Sequence, residues 1–162
     1  MSGCGCEMEA RNAQERKTLL IVLGINAFMF VFELVLGLLA ESTGLIADSL
    51  DMLADAFVYS ISLYAVGKSA NLKTNAARVS GVAQIILALL VLADVLRRFI
   101  YGSEPVSILM MGVGFTALIA NSICLSLIAK HQNDGIHMRA SLIFSKNDVI
   151  ANIGVILSGA LV

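Results

Sequence analysis

Long apolar runs, broken by short polar links, divide this chain. A helix needs about 20 apolar residues to cross roughly 30 Å of hydrocarbon at 1.5 Å per residue. Four such runs cover about residues 18–40, 44–67, 77–100 and 106–129, and a fifth begins near 137 and is still apolar at Val162. The pattern predicts an all-α, polytopic transmembrane helix bundle. A polar cytoplasmic tail occupies about 1–17 and the transmembrane domain about 18–162, its last span being 137–162. Short links predict antiparallel hairpins between neighbouring spans, with no soluble domain. Gly154 with Ser158, and Ala56 with Ser60, have the small-xxx-small spacing that lets helices approach closely.

Composition sharpens this picture. Of 162 residues 58% are hydrophobic and 14% charged, against roughly 45–50% and 25% in soluble domains, so the chain reads as an integral membrane protein. A net charge of −1 gives no basic bias towards nucleic acid. The first sixteen residues are polar and include Glu7, Glu9 and Glu15, which does not fit a basic-plus-apolar signal peptide. Arg11, Arg16 and Lys17 precede the first span, Lys68, Lys73 and Arg78 surround the second link, and Lys130 and Arg139 surround the fourth. The positive-inside rule puts these on the cytoplasmic side, with the N-terminus inside. Arg97 and Arg98 alone fall on the other side. A bacterial inner (plasma) membrane is the expected location.

The second span departs from this apolar pattern. Its segment ADSLDMLADAF carries Asp48, Asp51 and Asp55. At about 100° per residue, positions i, i+3 and i+7 fall within a sector of roughly 60°, so the three acids form one stripe. An ionised carboxylate at mid-bilayer costs about 2.5–3.5 kcal/mol on insertion scales, so the stripe is expected to face a cavity, a cation or protons. The fifth span supplies complementary groups in SKNDVIAN. Counted inward from opposite ends, Asp148 and Asp55 reach the same depth near the midplane. Ser145 and Asn152, at i−3 and i+4, share the Asp148 face, whereas Asn147 points roughly 100° away. Lys146 either pairs with an acid or lines a wet passage.

Other polar residues carry weaker signals. Asn26, Glu33, Asp94 and Asn121 are single groups within spans, each more often an interhelical hydrogen bond than a ligand. His131 and His137 lie in the fourth link, where a histidine is usually solvated. Cys4 and Cys6 form a lone CxC in a tail expected to be disordered, and two thiols do not complete a tetrahedral metal site. Cys124 reads as packing.

The pattern SxGLIADSLDMLADA, with NDVIAN in the fifth span, resembles the transmembrane domain of the cation diffusion facilitator family, from about Asn26 to the end. The resemblance implies a transporter rather than an enzyme. It implies efflux of divalent metal cations (zinc, cobalt, cadmium, iron or manganese), usually by a homodimer and in exchange for protons, with no permanently bound cofactor. It further implies six helices, of which five are visible, so a truncated member is expected, lacking also the family's cytoplasmic metal-binding domain. The family's metal site takes an i, i+4 pair from each of the second and fifth helices. The second-helix pair maps to Asp51 and Asp55, and the fifth-helix pair to position 144 and Asp148. Position 144 is Phe144, which cannot coordinate metal where many zinc-transporting relatives have His. Ser145, Asn152 or water then complete the shell, with Asp48 nearby. Such an oxygen-dominated site is less biased towards zinc, because imidazole suits zinc and carboxylate suits harder ions.

Two rivals belong to other classes. A non-transporting accessory or defective paralogue accommodates Phe144 and the missing helix. An intramembrane aspartyl protease also joins two acids at one depth, but its GxGD motif is not matched: Gly112-Val113-Gly114 is followed by Phe115.

Overall fold

Inside hydrocarbon a backbone has no water to bond, so an apolar run satisfies its own amides as a helix. The computed structural model describes residues 3–39, 43–102 and 107–161. Five helices occupy them: α1 (Gly3–Leu39), α2 (Thr43–Ala65), α3 (Ala70–Tyr101), α4 (Ser107–Ala129) and α5 (Ile136–Leu161). By length and composition alone, Met8–Leu36 and Met111–Ala129 are able to cross a membrane. α2 and α5 are the helices interrupted by the acids and amides singled out above.

The first correction concerns the N-terminal tail. α1 begins at Gly3, well before its apolar run, so the polar segment is helical rather than loose. It is tied down by contacts: Arg11 Nε donates to Asp134 Oδ1 at 2.6 Å and Arg11 Nη2 to the Asn133 carbonyl at 3.1 Å. Cys4 and Cys6 fall on this helix, but their side chains lie outside the described residues.

α1 packs along α2 and α4 along α5; α1 and α4 also touch, and α2 reaches both α4 and α5. α3 lies outside this four-helix group, against α2 and α5. It does not touch α4 among the described residues. The expected hairpin between α3 and α4 is therefore not a packed pair, because α3 is drawn onto α2 and α5 instead. Leu19, Val22, Tyr59, Val66, Cys124, Ile128, Met138 and Leu142 form a core cluster among α1, α2, α4 and α5. Met29, Met52, Ala117 and Ala120 form a second. The outside is equally apolar: Val82, Ile85, Leu89 and Leu90 of α3 and Phe28 and Val31 of α1 are exposed, a surface suited to hydrocarbon.

Of the small-residue positions, Gly154 is open and Ala56 is buried. A Cβ on Gly154 would meet nothing within 4 Å, and the Ser158 side chain lies outside the described residues. Ser60 is exposed and its hydroxyl donates to its own helix at Ala56 O, 2.8 Å.

The basic end of the bundle is closed by polar pairing. Ser69 caps α3, its hydroxyl accepting from Leu72 N at 3.4 Å. His131 is half-buried rather than solvated, bridging Thr18 Oγ1 (3.1 Å) and Asp134 Oδ2 (2.7 Å). His137 is buried completely on α5, its Nε2 lying 2.7 Å from Oε1 of the equally buried Glu15. Both histidines thus correct the expectation of loop residues in water. The reason is the extension of α1, which covers the link. Gly135 makes this possible: at φ +156°, a Cβ there would lie 2.9 Å from His137 Nδ1.

Candidate metal centre

The acids of α2 and α5 meet where α3 leans against both helices. A cavity of about 610 Å³ opens there, lined on the polar side by Asp51, Asp55, Gln84, Asn147 and Asp148. Asp55 is only 3% exposed. Its Oδ2 accepts from the Tyr59 hydroxyl and its Oδ1 from Gln84 Nε2, both at 3.4 Å. The Asp55 and Asp148 carboxyls are within hydrogen-bonding reach of each other. Asp148 Oδ2 is nevertheless buried without a partner. Asp51 stands on the cavity wall and is exposed to it.

No three His, Cys, Asp or Glu side chains among the described residues are grouped closely enough to hold a metal ion. The contact is a carboxyl pair, Asp55 with Asp148, with Asp51 one helical turn away on the same wall. Asp48 is half-buried and does not line the cavity. It lies close enough to Asp51 and Asp148 to share their electrostatic environment.

The face of α5 differs from the expected one. Phe144, Asn147, Asp148 and Ala151 face the cavity, which is the i, i+3, i+4, i+7 set. Ser141, Ser145 and Asn152 are buried and do not line it. Asp148 sits at the boundary between the two sets. Helix periodicity gives neighbours of Asp148 on both sides, and the position of α3 decides which side holds the cavity. Asn147, set aside in the sequence, is therefore a wall residue, and Phe144 occupies the wall at the position where a ligand was expected. Lys146 is exposed, off the cavity, and makes no ion pair among the described residues.

Two further wall or seam residues escaped the sequence reading. Gln84 comes from the middle of α3, and Tyr59 stands one turn beyond Asp55. Both were detectable only as polar groups spaced to meet the acid stripe. The single polar residues divide. Asn26 bonds its own helix at Val22 O (2.9 Å) and reaches Cys124 Sγ (3.5 Å), as interhelical glue should. Glu33 is completely buried with no hydrogen bond to either carboxyl oxygen, which does not fit that role. The Asp94 side chain lies outside the described residues.

Comparison with known proteins identifies the family of the chain. The family described as the cation efflux transmembrane domain matches residues 19–162. The zinc transporter ZitB of Yersinia pseudotuberculosis serotype I (strain IP32953) is 26% identical over 159 residues, which is 90% of this chain and 51% of that protein. ZitB of Escherichia coli (strain K12) is 24% identical over 159 residues, again 90% and 51%. The vacuolar zinc transporter ZRC1 of Saccharomyces cerevisiae (strain ATCC 204508 / S288c) is 29% identical over 133 residues, 72% of this chain and 29% of that protein. The chain spans about half the length of the ZitB relatives it matches. With the match covering all but the polar start of α1, the chain is an integral membrane protein of the cation efflux family, a family of transporters and not of enzymes.

Proposed function

We propose that this chain is the membrane part of a divalent metal exporter, carrying its cation through the cavity between α2, α3 and α5. The observation that carries this reading is the contact of Asp55 with Asp148 on a polar wall inside an otherwise apolar bundle. Two carboxyls shielded from water repel when both are ionised. A divalent cation removes that repulsion, and so do protons when the cation leaves. Asp55 and Asp148 are the anchoring ligands, Asp51 reaches the ion from the wall, and Asn147 and Gln84 offer amide oxygens to the same space. Ser145, Asn152 and Asp48 support this set from behind rather than facing the cation.

Phe144 removes a nitrogen from the wall, so the donor set is oxygen. Such a set holds zinc, cobalt, cadmium, iron or manganese with less preference among them than an imidazole site would show. The relatives' printed names favour zinc as the first ion to test. Transport is proton-coupled: metal binding needs deprotonated carboxylates, so loading releases protons and weakens as pH falls. The basic end faces the cytoplasm by the positive-inside rule, with the N-terminus inside. A homodimer is the working form we expect.

The test is uptake of labelled Zn²⁺ into proteoliposomes under an imposed pH gradient. Uptake that requires the gradient and disappears in Asp55→Ala and Asp148→Ala supports the reading. Protein that inserts correctly but moves no cation is an accessory paralogue instead.

A further inference from the structure

The cavity is one-sided along the helix axes. Counted towards the basic end, its lining stops at Asp55 on α2, Gly81 on α3 and Phe144 on α5; the other way it continues to Asp51, Leu92 and Ala151. Between that floor and the basic end the same three helices are packed shut. Val58 and Ser62 of α2, Ala76 and Ser80 of α3, and Ser141 and Leu142 of α5 are all buried. At 1.5 Å per residue, the plug from the floor to the ends of α2 and α5 is about 12–15 Å thick. A cation arriving from the basic end reaches the cavity only when these helix ends part.

The polar extension of α1 holds the ends together, because it touches both links at that end. At the α2–α3 link Asn12 lies against Gly67, where φ is +72° and a Cβ would come within 3.3 Å of Asn12 Nδ2. At the α4–α5 link Arg11 pairs with Asp134 and donates to the Asn133 carbonyl at 3.1 Å. One turn further on, Glu15 Oε1 lies 2.7 Å from His137 Nε2 at the start of α5. α3 joins from the other side: Lys73 Nζ donates to the Asp134 carbonyl at 3.2 Å, and Lys73 Cδ would lie 3.2 Å from a Cβ at Gly135. Each link thus has a glycine at its closest approach, where a methyl group would not fit. Contacts of this kind exchange protein partners for water at small net cost, so a clasp built from them is able to open and close.

We propose that the extension of α1 is the clasp of a gate at the basic end. Closed in this structure, it bars the cavity from that side; released from the two links, it lets the ends of α2, α3 and α5 separate and opens the floor. The proposal rests on reading the cavity as the cation's path and adds the element that controls access to it. A merely structural clasp would add stability without deciding the side from which the cavity is reached.

The experiment uses the full chain in sealed vesicles of known orientation, with Gly81→Cys at the cavity floor as reporter, since a Cβ there meets nothing within 4 Å. Cys4→Ser and Cys6→Ser remove the thiols of the first turns, and Cys124 is buried. A membrane-impermeant maleimide is added on one side at a time. The reporter is expected to react at least about tenfold more slowly from the basic side than from the opposite side. Arg11→Ala combined with Asp134→Asn loosens the clasp far from the floor and is expected to raise basic-side labelling about fivefold. In a second arm, without the reporter, Arg11→Cys is joined to Asp134→Cys by a disulfide-containing bis-maleimide. Holding the clasp shut is expected to lower Zn²⁺ uptake at least about tenfold, with Zn²⁺ affinity within about twofold, and reductant is expected to restore uptake. Equal labelling from both sides, or basic-side labelling unchanged in the loosened variant, overturns the gate. Wild-type uptake, or lost Zn²⁺ binding, in the cross-linked protein does the same. A labelling contrast that holds in protein moving no Zn²⁺ even without the cross-link supports the gate and overturns the transport reading instead.

Discussion

The two ends of the α2–α5 contact treat buried polar groups in opposite ways. At the basic end they are mostly matched in pairs, Glu15 with His137, His131 with Asp134 and Thr18, Ser62 with Ser141, and only His137 Nδ1 is left over. From mid-height outward they are not, since both oxygens of Glu33, Asp148 Oδ2, Asn121 Oδ1 and Asn152 Nδ2 are buried without partners. Native interiors pair the great majority of such atoms. Matched groups fix the position of one helix on another. Of the unmatched ones, Asp148 lines the cavity, and the proposed cation would supply the partner its carboxyl lacks.

Substitutions at the unmatched end should have the largest effect on transport. Asp55→Ala or Asp148→Ala removes a charge-assisted contact of about 2 kcal/mol, a loss of about 30-fold or more in Zn²⁺ affinity. Insertion and helix content, followed by circular dichroism, should not change. Asp51→Ala, at a more exposed wall position, should weaken binding about tenfold by the same titration.

Substitutions at the matched end should act on stability first. Glu15→Ala strands the His137 ring in a buried site and should cost about 1–3 kcal/mol, seen as a lower thermal midpoint in detergent. A midpoint unchanged from wild type would mean that the extension of α1 is not held by this pair.

Asn147 and Asn152 give the smallest and most discriminating contrast. Asn147→Ala, on the cavity wall, should weaken Zn²⁺ binding a few-fold and leave the thermal midpoint alone. Asn152→Ala, buried behind the wall with its Nδ2 already without a partner, should leave Zn²⁺ binding unchanged and move the midpoint by no more than about 1 kcal/mol. Equal effects on binding would place the cavity on the other side of α5.

Much of this was legible in the sequence. Five apolar runs became five helices because length and hydropathy decide that outcome locally. The acid stripe on α2 and the depth match with Asp148 followed from helical period and from counting inward at both ends. What could not be read depends on how helices are arranged around one another. Period alone puts Ser145 and Asn152 as near to Asp148 as it puts Phe144 and Asn147, and only the placement of α3 separates them. The same holds for His137: a histidine at a link reads as solvated until α1 is known to continue past the membrane boundary and lay Glu15 against it. Tyr59 gave no signal beyond its spacing one turn from Asp55, since its meaning comes from the carboxyl it bonds.

The central claim is that a divalent cation and protons compete for the Asp55–Asp148 pair. Titration of Zn²⁺ into the purified protein by calorimetry, in buffers of different ionisation enthalpy, tests it directly. The account predicts proton release on binding, an affinity that falls steadily as pH is lowered from about 8 to about 5.5, and loss of both in Asp55→Ala and Asp148→Ala. An affinity that stays constant across that range, with no proton release, would contradict it.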